Sequence, residues 1–174
     1  QATFLDENLM TMDVASGRSW LKEICDLWID EGLAPDRTKK TRSKTGVYWS
    51  GTSHASLHKP DILAKMYESG CTHLVYGLES FDPNILRNLG KGSNRKNNIS
   101  SVSICMESGI IPVPNIIIGF PDETFESIRN TITALIGLGI YAKPHFATAY
   151  PGSEWYYKYK NAIIKQYNGS LENY

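Results

Sequence analysis

Asn115-Ile116-Ile117-Ile118-Gly119-Phe120-Pro121-Asp122-Glu123-Thr124 is a β-branched run that stops at a glycine and passes into carboxylates. With no polar alternation, it reads as a strand of a parallel sheet covered on both faces. Gly119 lets the backbone leave that strand in a conformation other residues resist, or lets a ligand approach the main chain. Pro121 fixes the turn, and Thr124 is placed to cap a helix over 125–138 whose first turn carries Glu126. The unit is strand, tight acidic loop, helix. In α/β folds such a loop stands at the carboxyl ends of the strands, where ligands bind. Asp122 and Glu123 either complement the helix dipole or serve such a ligand.

The same pattern repeats on either side. Amphipathic helices end at Gly32, Gly70, Gly109 and Gly139. Two junctions are nearly one phrase: Glu68-Ser69-Gly70 before Leu74-Val75-Tyr76-Gly77, and Glu107-Ser108-Gly109 before Ile116-Ile117-Ile118-Gly119. Their spacing, about 39 residues, suits one βαβ unit with an extra helical turn. Strands are expected over 3–6, 47–52, 73–78, 112–118 and 144–149. Helices are expected over 19–31, 60–68, 83–88, 94–107, 125–138 and 154–161. Alternating β and α elements predict an α/β fold with a parallel sheet and right-handed crossovers. The basic stretch over 36–44 reads as a loop insertion, its cations either solvated or facing an anionic substrate.

At 174 residues the chain is expected to form a single domain over 1–174. Lysine plus arginine number 18 and aspartate plus glutamate 18, so bulk charge offers nothing to a nucleic acid. No apolar stretch approaches the roughly 18 residues of a membrane span, and no charged-then-apolar leader opens the chain. The expectation is a cytoplasmic protein, or an excised piece of one. Cys25, Cys71 and Cys105 match no metal-ligand spacing and have apolar neighbours, which points to buried packing; their odd number argues against a disulfide framework.

If the strands are parallel, their carboxyl ends share one rim. It collects Asp6-Glu7-Asn8, Thr52-Ser53-His54, Glu79-Ser80, Pro121-Asp122-Glu123-Thr124 and Tyr150-Pro151-Gly152-Ser153. Carboxylates, hydroxyls, one imidazole and turn backbone make a polar bowl over an apolar wall. Such a bowl suits a small amphoteric ligand carrying an ammonium, a ribose or a purine. Each group also has a structural reading: Ser80 or Asp82 as the cap of a short helix, His54 as a hydrogen-bonded surface histidine, Tyr150-Pro151-Gly152 as a turn.

Taken in order, Phe4-Leu5-Asp6-Glu7-Asn8, Trp49 followed by His54, Gly70-Cys71 to Gly77-Leu78-Glu79-Ser80, Ile85-Leu86 to Gly90-Lys91-Gly92, Ile118 to Thr124 and Thr148-Ala149-Tyr150-Pro151-Gly152-Ser153 resemble the radical S-adenosylmethionine enzymes. The nearest subgroup is the one whose members often carry a cobalamin-binding domain, with methylthiotransferases as more distant relatives. The resemblance implies a partial (β/α) barrel, TIM-barrel-like, that binds S-adenosylmethionine and a [4Fe-4S] cluster. It implies a 5′-deoxyadenosyl radical used for oxidoreduction, cyclisation or methyl transfer on a small-molecule substrate. A reductant protein such as flavodoxin or ferredoxin is implied as partner, and cobalamin as a further cofactor through a separate domain. By position, Asp6 and Glu7 fall where the family holds the methionine amino group. Glu79 and Ser80 fall where it meets the ribose or methionine carboxylate. Ile117, Gly119, Asp122 and Glu123 fall beside the adenine, as do Tyr150, Pro151 and Gly152.

Three departures accompany the resemblance. His54 stands where related sequences often have arginine. Spacing from Gly119 selects Asp122 as the motif acid, while the subgroup pattern selects Glu123. The family's three-cysteine cluster motif is absent, so the chain is expected to be a fragment that opens at the second strand, has no metal ligands of its own and is inactive alone. No residue is assigned a catalytic role. Two further classes stand beside the radical enzyme: a non-catalytic βα ligand-binding module, and an unrelated βα-barrel lyase or isomerase using Asp6, Glu79 and Glu123.

Overall fold

The computed structural model describes residues 1–5, 8–11, 13, 17, 19–38, 46–55 and 59–169. Among them, strands β1 (Ala2–Thr3), β2 (Trp49–Ser53), β3 (Cys71–Glu79), β4 (Ile111–Ile118) and β5 (Pro144–Phe146) lie side by side in chain order, every neighbouring pair parallel. Helices α1 (Trp20–Asp30), α2 (Pro60–Glu68), α3 (Pro83–Leu89), α4 (Arg95–Glu107), α5 (Phe125–Leu138) and α6 (Glu154–Gln166) alternate with them. The sheet curls into a half-barrel, as sequential parallel strands with their natural twist do. Among the described residues, no helix is long and apolar enough to cross a membrane.

Local chemistry starts the helices where the residues predict. Pro60 opens α2, and Asp82 caps α3 by accepting from the amides of Asn84 and Ile85. Thr124 and Ser127 cap α5 reciprocally: Ser127 N donates to Thr124 Oγ1 at 3.1 Å, and Thr124 N donates to Ser127 Oγ at 2.9 Å. Of the basic stretch, Arg37 lies within the described residues. It is not solvated: its guanidinium stacks 3.7 Å from the Tyr67 ring centre and donates to Cys71 O at 2.8 Å. Residues 39–45 lie outside the described residues.

The core fills the layer between sheet and helices. Trp49, Leu74, Tyr76, Leu78 and Ile116 pack there against Leu63, Met66 and Val102. Burying each such side chain contributes about 1.5–3 kcal/mol before conformational entropy is counted.

The expectation that β4 is covered on both faces is not met. Pro112, Pro114 and Ile116 are buried under the helices, whereas Ile111 and Val113 are 55% and 39% exposed on the concave face. Five strands do not close on themselves, so only the helix side of the pleat is covered.

The prolines of β4 are tolerated for a related reason. Ala147 N donates to Ile118 O at 2.8 Å, so the even-numbered residues of β4 turn their backbone groups toward β5. Since β5 pairs only from Ile116 upward, Pro112 and Pro114 lack their N–H groups where no strand asks for them.

Candidate functional site

The carboxyl end of β3 departs from regular geometry. Its register with β4 shifts between Gly77 and Glu79, and Glu79 has φ +59°, a left-handed conformation that a side chain disfavours. Ser80 N donates to Leu78 O at 2.7 Å, closing a γ-turn with Glu79 at its centre. The turn folds the Glu79 side chain back over the concave face of the sheet, above Gly77. A Cβ at position 77 would lie 3.0 Å from Glu79 Oε1 and 3.5 Å from Lys91 Nζ, so the hollow exists because residue 77 has no side chain.

Glu79 is only 5% exposed. Lys91 Nζ donates to its Oε1 in a short ion pair, from a lysine whose own side chain is half in solvent. Glu79 Oε2 is buried and has no hydrogen-bond partner among the described residues. A strained backbone, a cation at its side and a buried carboxylate oxygen without a partner among the described residues mark Glu79 as a group whose bonding is incomplete.

The neighbouring strand end supplies a second contact. At Gly119 (φ +88°) the chain turns out of β4, and its N–H donates to Glu123 Oε2 in a short bond across the loop. Glu123 lines a pocket of about 380 Å³ with Ile118, Gly119, Phe120 and Phe146. Asp122 points elsewhere: it accepts from Asn88 Nδ2 at 3.3 Å and lines a separate pocket of about 360 Å³ with Trp155 and Lys158. The two adjacent acids therefore serve different surfaces.

Other candidates disperse. Asp6 and Glu7 lie outside the described residues. His54 follows β2 directly and is half-buried. Ile117 stands half-buried on β4, in register with His145 of β5. Ser80 is 1% exposed and shares a hydrogen bond with Thr131 at 3.0 Å, while Asp82 N donates to its Oγ at 3.0 Å. That inward placement favours the structural reading of Ser80. Tyr150 is 71% exposed, and Pro151 and Gly152 are exposed in a turn closed by Ser153 N and Oγ donating to Tyr150 O at 3.0 and 2.7 Å. An apolar cavity of about 260 Å³ under Phe4, Trp20, Trp28 and Trp49 touches none of these rim residues.

Sequence reasoning assigned no role to Lys91, although a lysine between two glycines just after a short helix marks a cation on an open turn. It also missed Gly77, whose importance depends on the turn two residues later.

The three thiols face the core. Burial pushes Cys25 and Cys105 up to about 11 and raises Cys71 as well, so all three resist becoming thiolates. Among the described residues, no three histidine, cysteine, aspartate or glutamate side chains converge as metal ligands.

A curled sheet of parallel strands alternating with helices, its strained Glu79 turn at the carboxyl rim, defines a protein of the βα-barrel class. The model of the radical SAM superfamily matches residues 19–135, and the chain belongs to that family. It is 34% identical over 124 residues to an uncharacterized methyltransferase of Pyrococcus horikoshii, a match covering 70% of this chain and 27% of that protein. Solved structures that share the fold include two that span most of this chain. One is the archaeal Elp3 of Methanocaldococcus infernus with an N-terminal deletion: TM-score 0.62, 14% identity, 92% of this chain and 40% of that one. The other is TsrM of Kitasatospora setae, a radical S-adenosylmethionine methyltransferase with cobalamin and a [4Fe-4S] cluster bound: TM-score 0.60, 15% identity, 78% of this chain and 26% of that one. The chain thus spans about a quarter of the length of the curated relatives it matches.

Proposed function

We propose that this chain forms the S-adenosylmethionine-binding wall of a radical enzyme, and that the longer protein transfers a methyl group to a small-molecule substrate with cobalamin as a further cofactor. The observation that carries the reading is Glu79, a buried carboxylate in a strained turn with one oxygen held by Lys91 and the other without a partner among the described residues. Among the relatives, a methyltransferase at 34% identity supports methyl transfer, and the cobalamin-bound neighbour supports that cofactor.

The residues present fit S-adenosylmethionine. Glu79 Oε2 accepts from the ammonium or a ribose hydroxyl, Lys91 meets the carboxylate, and Ile117 offers an apolar wall. Glu123 holds the Gly119 loop in shape and is favoured over Asp122 as the acid beside the adenine. When bound, S-adenosylmethionine supplies a methyl group or, after one-electron cleavage, a carbon-centred radical. This chain's part is to bind it, orient it and neutralise its charged ends. The described residues do not fit a [4Fe-4S] cluster, because their thiols are buried in the core and raised in pKa. Its thiolates, and the docking of a reductant protein such as flavodoxin or ferredoxin, are assigned to other parts of the longer protein.

Saturation-transfer NMR on this chain tests the binding reading: S-adenosylhomocysteine is expected to compete with S-adenosylmethionine, and no transfer to either would refute it. Anaerobic reconstitution is expected to leave the chain without stoichiometric iron and sulfide. A cluster on it would overturn the assignment of the thiolates elsewhere. That same buried thiol set favours a second reading, a ligand-binding module without radical chemistry. Assaying the longer protein for 5′-deoxyadenosine or methylated product separates the two.

A further inference from the structure

The left-handed turn at Glu79 does not hold itself. Asn98, on the first turns of α4 and 0% exposed, donates from Nδ2 to Leu78 O at 3.0 Å and to Ser80 O at 2.9 Å. Those two carbonyls flank Glu79, so a single amide nitrogen spans the residue whose backbone is strained. The orientation of the amide follows from its partners, since two carbonyl oxygens demand the nitrogen and not the oxygen. Its own Oδ1 is left buried without a partner among the described residues. An unsatisfied acceptor in a core is unfavourable, and its presence here implies that the two bonds to the turn outweigh it. Arg95, on the same helix turn, adds a donation from Nη1 to Phe81 O at 3.2 Å. The site thus leans on α4, which contributes no side chain to the rim contacts described above.

We propose that Asn98 is a positioning residue that clamps the γ-turn and thereby aims the Glu79 carboxylate at the ligand. The ligand half of this inference rests on the function proposed above; the clamp half does not. Without the amide, the turn would relax toward φ below zero, a conformation glutamate prefers, and the carboxylate would swing off the hollow over Gly77. Aspartate cannot substitute because it has no donor, and glutamine is one methylene too long for the span.

Two readouts on the full chain test this. In Asn98→Ala, exchange of the Ser80 amide, followed by NMR, is expected to accelerate about tenfold or more, while the amides of Leu74 and Tyr76 stay protected. Affinity for S-adenosylhomocysteine, measured by titration calorimetry, is expected to fall about tenfold, with no further fall when Asn98→Ala is added to Glu79→Gln. Unchanged Ser80 exchange, or additive affinity losses in the double variant, would overturn the proposal. If the unsubstituted chain binds no ligand but Ser80 exchange still responds, the proposed function fails and the clamp stands. Should Asn98→Ala not fold, Glu79→Gly beside Glu79→Ala decides the matter. Glu79→Ala and Glu79→Gly both lose the ion pair to Lys91, and only glycine accepts the turn without strain, so the glycine variant is expected to have the higher Tm, and a lower one would overturn the strain on which the clamp acts.

Discussion

Replacing Glu79 by glutamine removes a charge while keeping the volume of the side chain. Its two oxygens allow the consequences to be separated. Oε1 is held by Lys91, whose side chain is 46% exposed, so losing that pair costs at most about 1 kcal/mol after solvent screening. Oε2 is buried with no partner among the described residues, so the substitution breaks no hydrogen bond seen there, and it is the oxygen that the proposed function assigns to the ligand. One hydrogen bond to a charged group is worth about 1.5–3 kcal/mol, which is roughly a tenfold to 150-fold change in Kd. Glu79→Gln should therefore leave the chain folded with a nearly unchanged Tm and weaken S-adenosylhomocysteine by at least tenfold. Calorimetric titration at low and high salt, beside a thermal melt, measures both quantities. A glutamine variant that binds within twofold of the original would refute the assignment of Oε2 to the ligand. A collapse of Tm would refute the claim that the substitution breaks no protein bond at this oxygen.

Asp82→Ala removes the cap of α3 and should cost about 1–2 kcal/mol. Burial opposes ionisation of Asp82, but donation from Asn130 Nδ2 and from the amides of Ile85 and Asn84, with Arg95 nearby, holds its carboxyl below the ordinary value of 3.8. Its stabilisation is therefore complete above that value and is lost as pH falls through the lower folded one; urea melts should show the gap between variant and parent closing below about pH 4. Gly119→Ala should cost about 1–2 kcal/mol in denaturant melts from backbone strain alone, because the nearest atom to the new Cβ is Ala147 N at 3.9 Å; a neutral result would remove the need for a left-handed residue there. Cys25, Cys71 and Cys105 should resist a thiol reagent at neutral pH and all react in denaturant, and one fast-reacting thiol in the native chain would contradict their burial.

Much of the scaffold was legible because it is written in local chemistry. Thr124 and Asp82 announce helix starts, the repeated Glu-Ser-Gly phrase announces helix ends, and short β-branched runs announce strands; each depends on residues within one turn of itself. The covered concave face was misread because periodicity cannot tell a strand packed on both sides from one that lines an open half-barrel. At the site, the residue classes at the strand ends were readable, but their directions were not. Whether Asp122 or Glu123 faces Gly119, and whether Ser80 looks outward, depends on a loop path and a γ-turn that no pattern of residue types encodes. Asn98 was invisible for the same reason: it works at a distance of 18 and 20 residues, through two carbonyl oxygens.

The prolines of β4 bear on how the open flank of this half-barrel meets other chains. An exposed strand invites a partner to zip onto it through its amides, and many unwanted assemblies begin that way. Below Ile116 that flank presents carbonyls at Pro112 and Pro114 but no donors, so an arriving strand would find half of its ladder missing. Anything that covers Ile111, Val113 and Tyr141 there must do so with side chains rather than by extending the sheet. The flank is thereby protected against indiscriminate strand addition while its apolar surface remains available for a fitted contact.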